Sequence, residues 1–413
     1  MTSTPPLPEN WALRFFTIWA GQAASIFGSA LVQFALVWYL TQESGSATVL
    51  AMATVAAMLP QIVVGPFAGT LVDRLNRRWV MVIADAAIAV ATLGLVYLFA
   101  AGAIQIWHIY ALLFVRGVGG AFHWPAMQAS TSLMVPEKHL SRIAGMNQTL
   151  QGAVSIVAPP TGALLLELLS TQNVLLIDVG TAALAILPLL FIAIPQPTRE
   201  DGVPLGETRY WQDLAEGFRY VASWPGLMGI LAIAALLNFL LTPTGSLMPL
   251  LVTDHFGGDA LQFGLMDSFW GGGIILGGLA LSVWGGFKRK IMTALVGVIG
   301  IGIGVLMVGA APAWAIWLAF AGMFLSGAMM AFANGPLMAI IQSAVRPEMQ
   351  GRVMSLMGSL ATAVSPLGLL IAGPFSDWAG VRTWYWVSGG ITLLVGVGAY
   401  FIPVVMNVEE NKR

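Results

Sequence analysis

Gly69-Thr-Leu-Val-Asp73-Arg74-Leu-Asn-Arg77-Arg78 places one acid and three arginines within a few residues, between apolar runs over roughly 47–72 and 79–101. Each run exceeds the ~20 residues that a helix rising ~1.5 Å per residue needs to cross a hydrocarbon core roughly 30 Å thick. The stretch therefore reads as a tight charged connector between two membrane spans. Its arginines put it on the cytoplasmic side, where basic residues accumulate in short loops.

The rest of the composition agrees. Of the 413 residues 58% are hydrophobic and only 9% charged, with a mean hydropathy of +0.83. Soluble domains carry roughly 25% charged residues. Lipid leaves only helices or closed barrels, because unpaired backbone groups cost too much there, and the runs are far longer than the ~10-residue alternating segments of a barrel. The chain reads as an all-α, polytopic integral membrane protein. A net charge of -1 and a pI near 6.4 point to no charged partner, and nucleic acid is not expected. The absence of cysteine excludes disulfides and thiolate metal sites. The short polar N-terminus, Met1 to Trp11, lacks the basic region of a cleavable signal, so the first span is expected to remain in the mature protein.

Twelve spans are expected, at roughly 11–40, 47–72, 79–101, 106–132, 143–167 and 173–195, then 225–253, 260–287, 290–311, 313–343, 349–376 and 382–405. The division is an N-terminal six-helix bundle over 1–197, a linker over 198–224 and a C-terminal bundle over 225–413. In the linker Trp211, Leu214, Phe218 and Val221 recur at helical spacing. They fit either an amphipathic helix on the membrane surface or a plain helical connector. With a cytoplasmic N-terminus, sixteen of the eighteen Lys and Arg fall on one face; Arg382 lies outside and Arg116 within a span. Both termini are therefore expected inside.

The halves repeat. Phe114-Val-Arg-Gly117 with Ala121-Phe122 matches Phe324-Leu-Ser-Gly327 with Ala331-Phe332; the loops that follow share Pro136-Glu137 and Pro347-Glu348, and the first separation recurs between Arg142 and Arg352.

The charged connector, G-x-x-x-D-R-x-x-R-R, resembles the loop signature of the major facilitator superfamily between membrane helices 2 and 3. Arg116-Gly-Val-Gly119-Gly120 matches that superfamily's span-4 signature. A closer resemblance, to the bacterial macrolide-efflux branch, rests on Ile18-Trp-Ala-Gly-Gln22, Tyr39-Leu-Thr41, Ser44-Gly-Ser-Ala47, Ala121-Phe-His-x-Pro125, Ile177-Asp-Val179, Gly285-Gly-Phe287 and Gly351-Arg352-Val353. The exporter signature G-P-x-x-G-G is only approximated by Ala158-Pro159-Pro160-Thr-Gly162-Ala163, where both outer glycines are alanine. The resemblance implies the major facilitator fold, two pseudo-symmetric six-helix bundles with a substrate site near the midplane. It also implies a secondary transporter that exports hydrophobic or amphipathic, macrolide-like compounds by proton antiport. A siderophore exporter or lysophospholipid flippase of the same fold is the alternative. The setting it implies is the bacterial plasma membrane, with a monomer, the lipid bilayer, protons and a small amphipathic substrate as the working parts, and no cofactor.

A charge at bilayer depth costs roughly 2.5–3.5 kcal/mol on insertion scales and needs a reason. Arg116, Asp178, Asp267 and Asp85 all fall within spans. Asp178 and Asp267 are the candidate proton or substrate-cation sites, with Arg116 coupling their charge to conformation; a fixed ion pair, or an acid facing an outer vestibule, is the other reading. Span 1 has no acid, although many drug–proton exporters place one there. Polar residues at helical spacing make Gln22, Gln33, His123, Gln151, Asn238, Phe263, Trp270 and Asn334 the candidate substrate contacts. His123 fits either a titrating group or a hydrogen-bonded packing residue.

The resemblance also makes the connector a gate, formed by Gly69, Asp73, Arg74, Arg77, Arg78, Glu137 and Arg352. It implies that Asp73 lies near the start of span 11 and Arg352, with Arg77 near Glu137. Enzyme classes find no support: the chain has no H-E-x-x-H, no acid pair at catalytic spacing in a span, and no G-x-x-x-x-G-K-[ST] phosphate loop.

Overall fold

The computed structural model describes residues 10–72, 74–196, 216, 218–345 and 347–409; for a few of these, Arg352 among them, only the backbone is described. The regular structure among the described residues is helical, with no strand among them. The first six helices are α1 (Trp11–Ser44), α2 (Ala47–Val72), α3 (Arg77–Ala100), α4 (Ile106–Met134), α5 (Glu137–Leu168) and α6 (Thr171–Phe191). The second set is α7 (Pro225–Asp254), α8 (Ala260–Trp284), α9 (Lys290–Ala310), α10 (Ile316–Ala344), α11 (Pro347–Ala363), α12 (Ser365–Ala379) and α13 (Val381–Ala399), with a final turn α14 (Pro403–Met406). Ten segments are long and apolar enough to cross a membrane; α4 and α13 fall outside that set. Arg116, Gln128, Ser130, Thr131, Ser132 and two histidines dilute α4, yet its 29 residues give a rod of roughly 43 Å. With α11 and α12 counted together as the eleventh span, the described residues supply six long helices in each half of the chain.

That eleventh span was expected to be continuous. It breaks at Val364 because Pro366 has no N–H to return to the Thr362 carbonyl; Leu367 and Gly368 close a turn on the Val364 carbonyl instead.

Helix ends follow local chemistry. Gly45 ends α1 with φ 55° and donates its N–H to the Thr41 carbonyl. Asn76 starts α3 by accepting from the Arg78 N–H at 3.1 Å. Asp259 and Gln262 form a reciprocal capping box at α8. The two Pro-Glu pairs that the sequence repeat aligned both open helices, α5 and α11. Arg382 caps the end of α9: its Nε donates to the Gly309 carbonyl at 2.6 Å.

The chain divides into two compact units near residue 201, with Ser46–Ala51 grouped with the second. In the first, α1 packs on α6 and α5, and α3 on α4 and α6, around Phe15, Met81, Ala126 and Leu189. In the second, α9 packs between α10 and α13, α8 packs on α10, and α7 packs on α12, with Trp224, Leu227, Ile291 and Leu356 in its core. The repeat has a physical counterpart inside each unit. A Cβ on Gly117 would collide with the Ala57 carbonyl of α2, and one on Gly327 with the Trp270 carbonyl of α8. At both positions two helix backbones touch where only glycine fits.

Candidate functional site

In the first unit the intramembrane arginine finds its acid. Arg116 Nη1 on α4 donates to Asp178 Oδ2 on α6 at 2.7 Å. Ser29 on α1 ties the pair down from both sides: its hydroxyl donates to Asp178 Oδ1 at 3.1 Å, and its carbonyl accepts from Arg116 Nη2 at 3.0 Å. The Asp178 side chain is 3% exposed and that of Arg116 11%. Burial of both charges is tolerable only because each is paired and hydrogen-bonded.

A second polar group lies in the same unit. Asp85 on α3 accepts from Gln22 Nε2 on α1 at 3.3 Å, and His123 Nε2 on α4 stands 3.4 Å from its other oxygen. Gln22 and His123 were expected to contact substrate; the structure places both against a buried carboxylate.

The second unit holds a cavity of about 390 Å³ between α7, α8, α9, α10 and α13. Asn238, Asp267, Trp270 and Asn334 line it, with Met248 and Met330 among its apolar walls. Asp267 and Trp270 reach it together because residues three apart share a helix face. Tyr385 also borders it, its hydroxyl donating to the Thr244 carbonyl at 2.5 Å. No hydrogen bond or ion pair to the Asp267 carboxylate is found among the described residues. The cavity thus offers one uncompensated acid in a largely apolar wall. The remaining candidates are not among its lining residues: Phe263 is buried on α8, Gln33 is half-buried on α1, and Gln151 borders a much smaller pocket with Trp124 and Asn147.

Of the residues expected to form a gate, Asp73 lies outside the described residues, as does the side chain of Arg352, so their expected approach does too. Most of the linker expected to hold a surface helix is likewise outside. Gly69 lies near the end of α2, Arg74 is exposed just beyond it, and Glu137 is exposed at the start of α5. Arg77 is buried and donates to the Ala129 carbonyl of α4 at 3.2 Å. Arg78 donates to the Leu190 carbonyl near the end of α6 and lies over the Trp79 ring. The two arginines join the connector to the last turns of neighbouring helices.

Sequence reasoning assigned no role to Asp377. At the end of α12 its carboxylate accepts from the Ala47 N–H at 2.6 Å, the Thr48 N–H at 3.1 Å and the Thr48 hydroxyl at 2.5 Å. The one signal in the sequence was an acid next to Trp378 at the end of an apolar run.

Comparison with known proteins agrees with this architecture. The family model described as "Major Facilitator Superfamily" matches residues 18–244 and again 230–413. The chain is 34% identical over 401 residues to Macrolide efflux protein A of Streptococcus pyogenes, covering 97% of this chain and 98% of that protein. It is 29% identical to the multidrug efflux pump Tap of Mycolicibacterium fortuitum, over 92% of this chain and 94% of that one. Among solved structures, a nucleoside transporter superimposes with a TM-score of 0.72 over 96% of this chain and all of its own, at 13% identity. Two matches to one family model, one over each half, and a full-length relative at this identity establish that the chain belongs to the Major Facilitator Superfamily and is a multi-pass membrane transporter, not an enzyme.

Proposed function

We propose that this transporter exports bulky amphipathic cations, macrolide-like compounds among them, by proton antiport. The observation that carries this is Asp267, a carboxylate without a described partner in the wall of an apolar cavity of about 390 Å³. That volume lies within the roughly 300–1,000 Å³ typical of drug-sized sites. An unpaired charge in such a wall is costly, and either of two ligands relieves the cost: a substrate cation beside the carboxylate, or a proton on it. The two exclude one another, which is the requirement for antiport. Trp270 adds a ring face for a cation or an apolar ring, and methionines adapt to varied shapes. The names of the relatives, a macrolide efflux protein and a multidrug efflux pump, favour the same substrate class.

Arg116 and Asp178 complete the reading. A proton on Asp178 would release Arg116 from a buried pair, so that proton occupancy alters how α4 and α6 are held. The connector residues Gly69, Asp73, Arg74, Arg77 and Arg78, with Glu137 and Arg352, act as the cytoplasmic gate. The protein works as a monomer in the bacterial plasma membrane, with both termini in the cytoplasm. The test is uptake of a labelled macrolide into liposomes under an imposed pH gradient. Wild-type movement should follow the gradient, and Asp267→Asn should lose at least about tenfold, equivalent to ~1.4 kcal/mol. Wild-type movement indifferent to the gradient would overturn the proton mechanism; no macrolide movement would overturn the substrate assignment.

A further inference from the structure

We infer that Asp85, His123 and Gln22 form a second protonation site, in the N-terminal unit and separate from both Asp267 and the Arg116–Asp178 pair. The inference deepens the proton-driven reading and rests on it for its role in transport.

Three helices bring the group together: Gln22 from α1, Asp85 from α3 and His123 from α4. Gln22 is 1% exposed and Asp85 6%. In a packed interior such groups normally have every hydrogen bond made, and here they do not. Gln22 Oε1 is buried without a partner, and His123 Nε2, though 3.4 Å from Asp85 Oδ1, makes no aligned hydrogen bond. Leaving such atoms unpaired costs roughly 1–3 kcal/mol each. A static packing role gives nothing in return for that.

A movable proton does. With Asp85 ionised, Gln22 Nε2 donates to Oδ2 at 3.3 Å, as observed. When Oδ2 takes a proton it becomes a donor, and rotation of the Gln22 amide presents Oε1 to accept from it. An amide is the neutral side chain that can match both states of a carboxyl. His123 supplies the second position: its Nε2 lone pair takes a proton to give an imidazolium beside the carboxylate, and returns it across the same gap. Only N–H and O–H bonds form and break, and the proton is the one exchanged species.

The surrounding charges leave this group to itself. Arg116 and Asp178 hold each other. On α3, Arg77 and Arg78 donate to helix-end carbonyls. On α5, His139 stacks on Trp11, and Glu137, Lys138, Arg142 and Glu167 are exposed. On α1, Arg14 and Glu43 are exposed near its two ends. His108 accepts from the Gln105 N–H at the opposite end of α4 from the cytoplasm. Among the described residues no other ionisable group pairs with Asp85 or His123.

The chain has four histidines, so His108, His139 and His255 can be replaced by glutamine to leave His123 as the sole imidazole. The experiment is ¹⁵N NMR of that protein, full length in nanodiscs, over about pH 5–8, where histidine exchanges its proton. The His123 ring signals should move with pH, and Asp85→Asn should displace the titration curve. Gln22→Leu, which keeps the carboxylate, should displace it by less and serves if Asp85→Asn does not fold. Ring signals fixed across the range, or a curve that neither substitution displaces, would overturn the inference. The readout needs no transport, so it stands apart from whether protons drive export. In liposomes His123→Gln should then flatten the pH profile of transport without changing substrate affinity more than about twofold; an unaltered profile would remove the site from the transport cycle.

Discussion

Arg116 and Asp178 form a buried ion pair across α4 and α6, 2.7 Å from Nη1 to Oδ2, with Ser29 of α1 hydrogen-bonded to both. Such a pair can be structural or can be a switch, and stability alone does not separate the two. Removing one partner strands the other and costs about 3–5 kcal/mol, whereas replacing both with apolar residues of similar volume is often neutral. Asp178→Leu should therefore unfold readily in detergent, and Arg116→Met with Asp178→Leu should regain most of the loss. If the pair serves coupling, the stable double variant should still transport at least about tenfold more slowly than wild type. Normal transport by that variant would leave the pair a structural one.

The cavity makes a separate prediction about selectivity. Asp267, Asn238, Asn334, Thr242, Ser326 and Tyr385 put polar groups on its wall, and among these only Asp267 is a carboxylate. Asn334→Leu should shift which substrates are carried while preserving dependence on the pH gradient, because it changes the shape and polarity of the wall and not its charge. Trp270→Ala should weaken large substrates more than small ones, since it deletes a ring face and enlarges the space. Export assays with one large and one small labelled cation would check both; equal losses for the two cations in Trp270→Ala would contradict that placement.

How much of this was legible without coordinates depends on the range of the interaction. Span length and span number are local properties of a chain in lipid, and the sequence carries them directly. The repeat could also be read, and Gly117 and Gly327 show its cause: a helix backbone pressed against each. Partners are another matter. Arg116 and Asp178 were both conspicuous as buried charges, but their meeting depends on how α4 and α6 cross, which no periodicity encodes. Asp85 lacked any local partner to suggest that Gln22 and His123 would gather around it. The break at Val364 hid inside a span-length segment, since proline also occurs within intact membrane helices.

Packing at the repeated glycines gives a prediction of stability. Gly327→Val would place a branched side chain against the Trp270 backbone, and Gly117→Val one against Ala57. Overpacking of this kind costs about 1–3 kcal/mol where neighbours can shift, and here the obstacle in each case is main chain. Both variants should unfold at lower temperature than wild type, and Gly327→Val, which displaces the helix bearing Asp267 and Trp270, should also lose substrate binding. Wild-type thermal stability in both would mean that the helices sit further apart than described.

Asp377 supplies the last prediction. The first N–H groups of α2 have no intrahelical acceptor; Ser46 Oγ accepts from the Val49 N–H at 3.4 Å and itself donates to Asp377. The distant carboxylate takes the Ala47 and Thr48 N–H groups and two hydroxyls. Losing a cap costs about 0.5–2 kcal/mol, and the helix that starts on this carboxylate ends at the charged connector beginning with Gly69. Asp377→Ala should therefore speed amide hydrogen exchange in the first turn of α2 by about tenfold, matching ~1.4 kcal/mol. Thr48→Ala, which keeps both backbone bonds, should speed it much less. Because the cap holds only the first turn, exchange in the middle of α2 should stay slow in both variants. Uniformly faster exchange along α2 would show that Asp377 supports the whole helix and is not a cap.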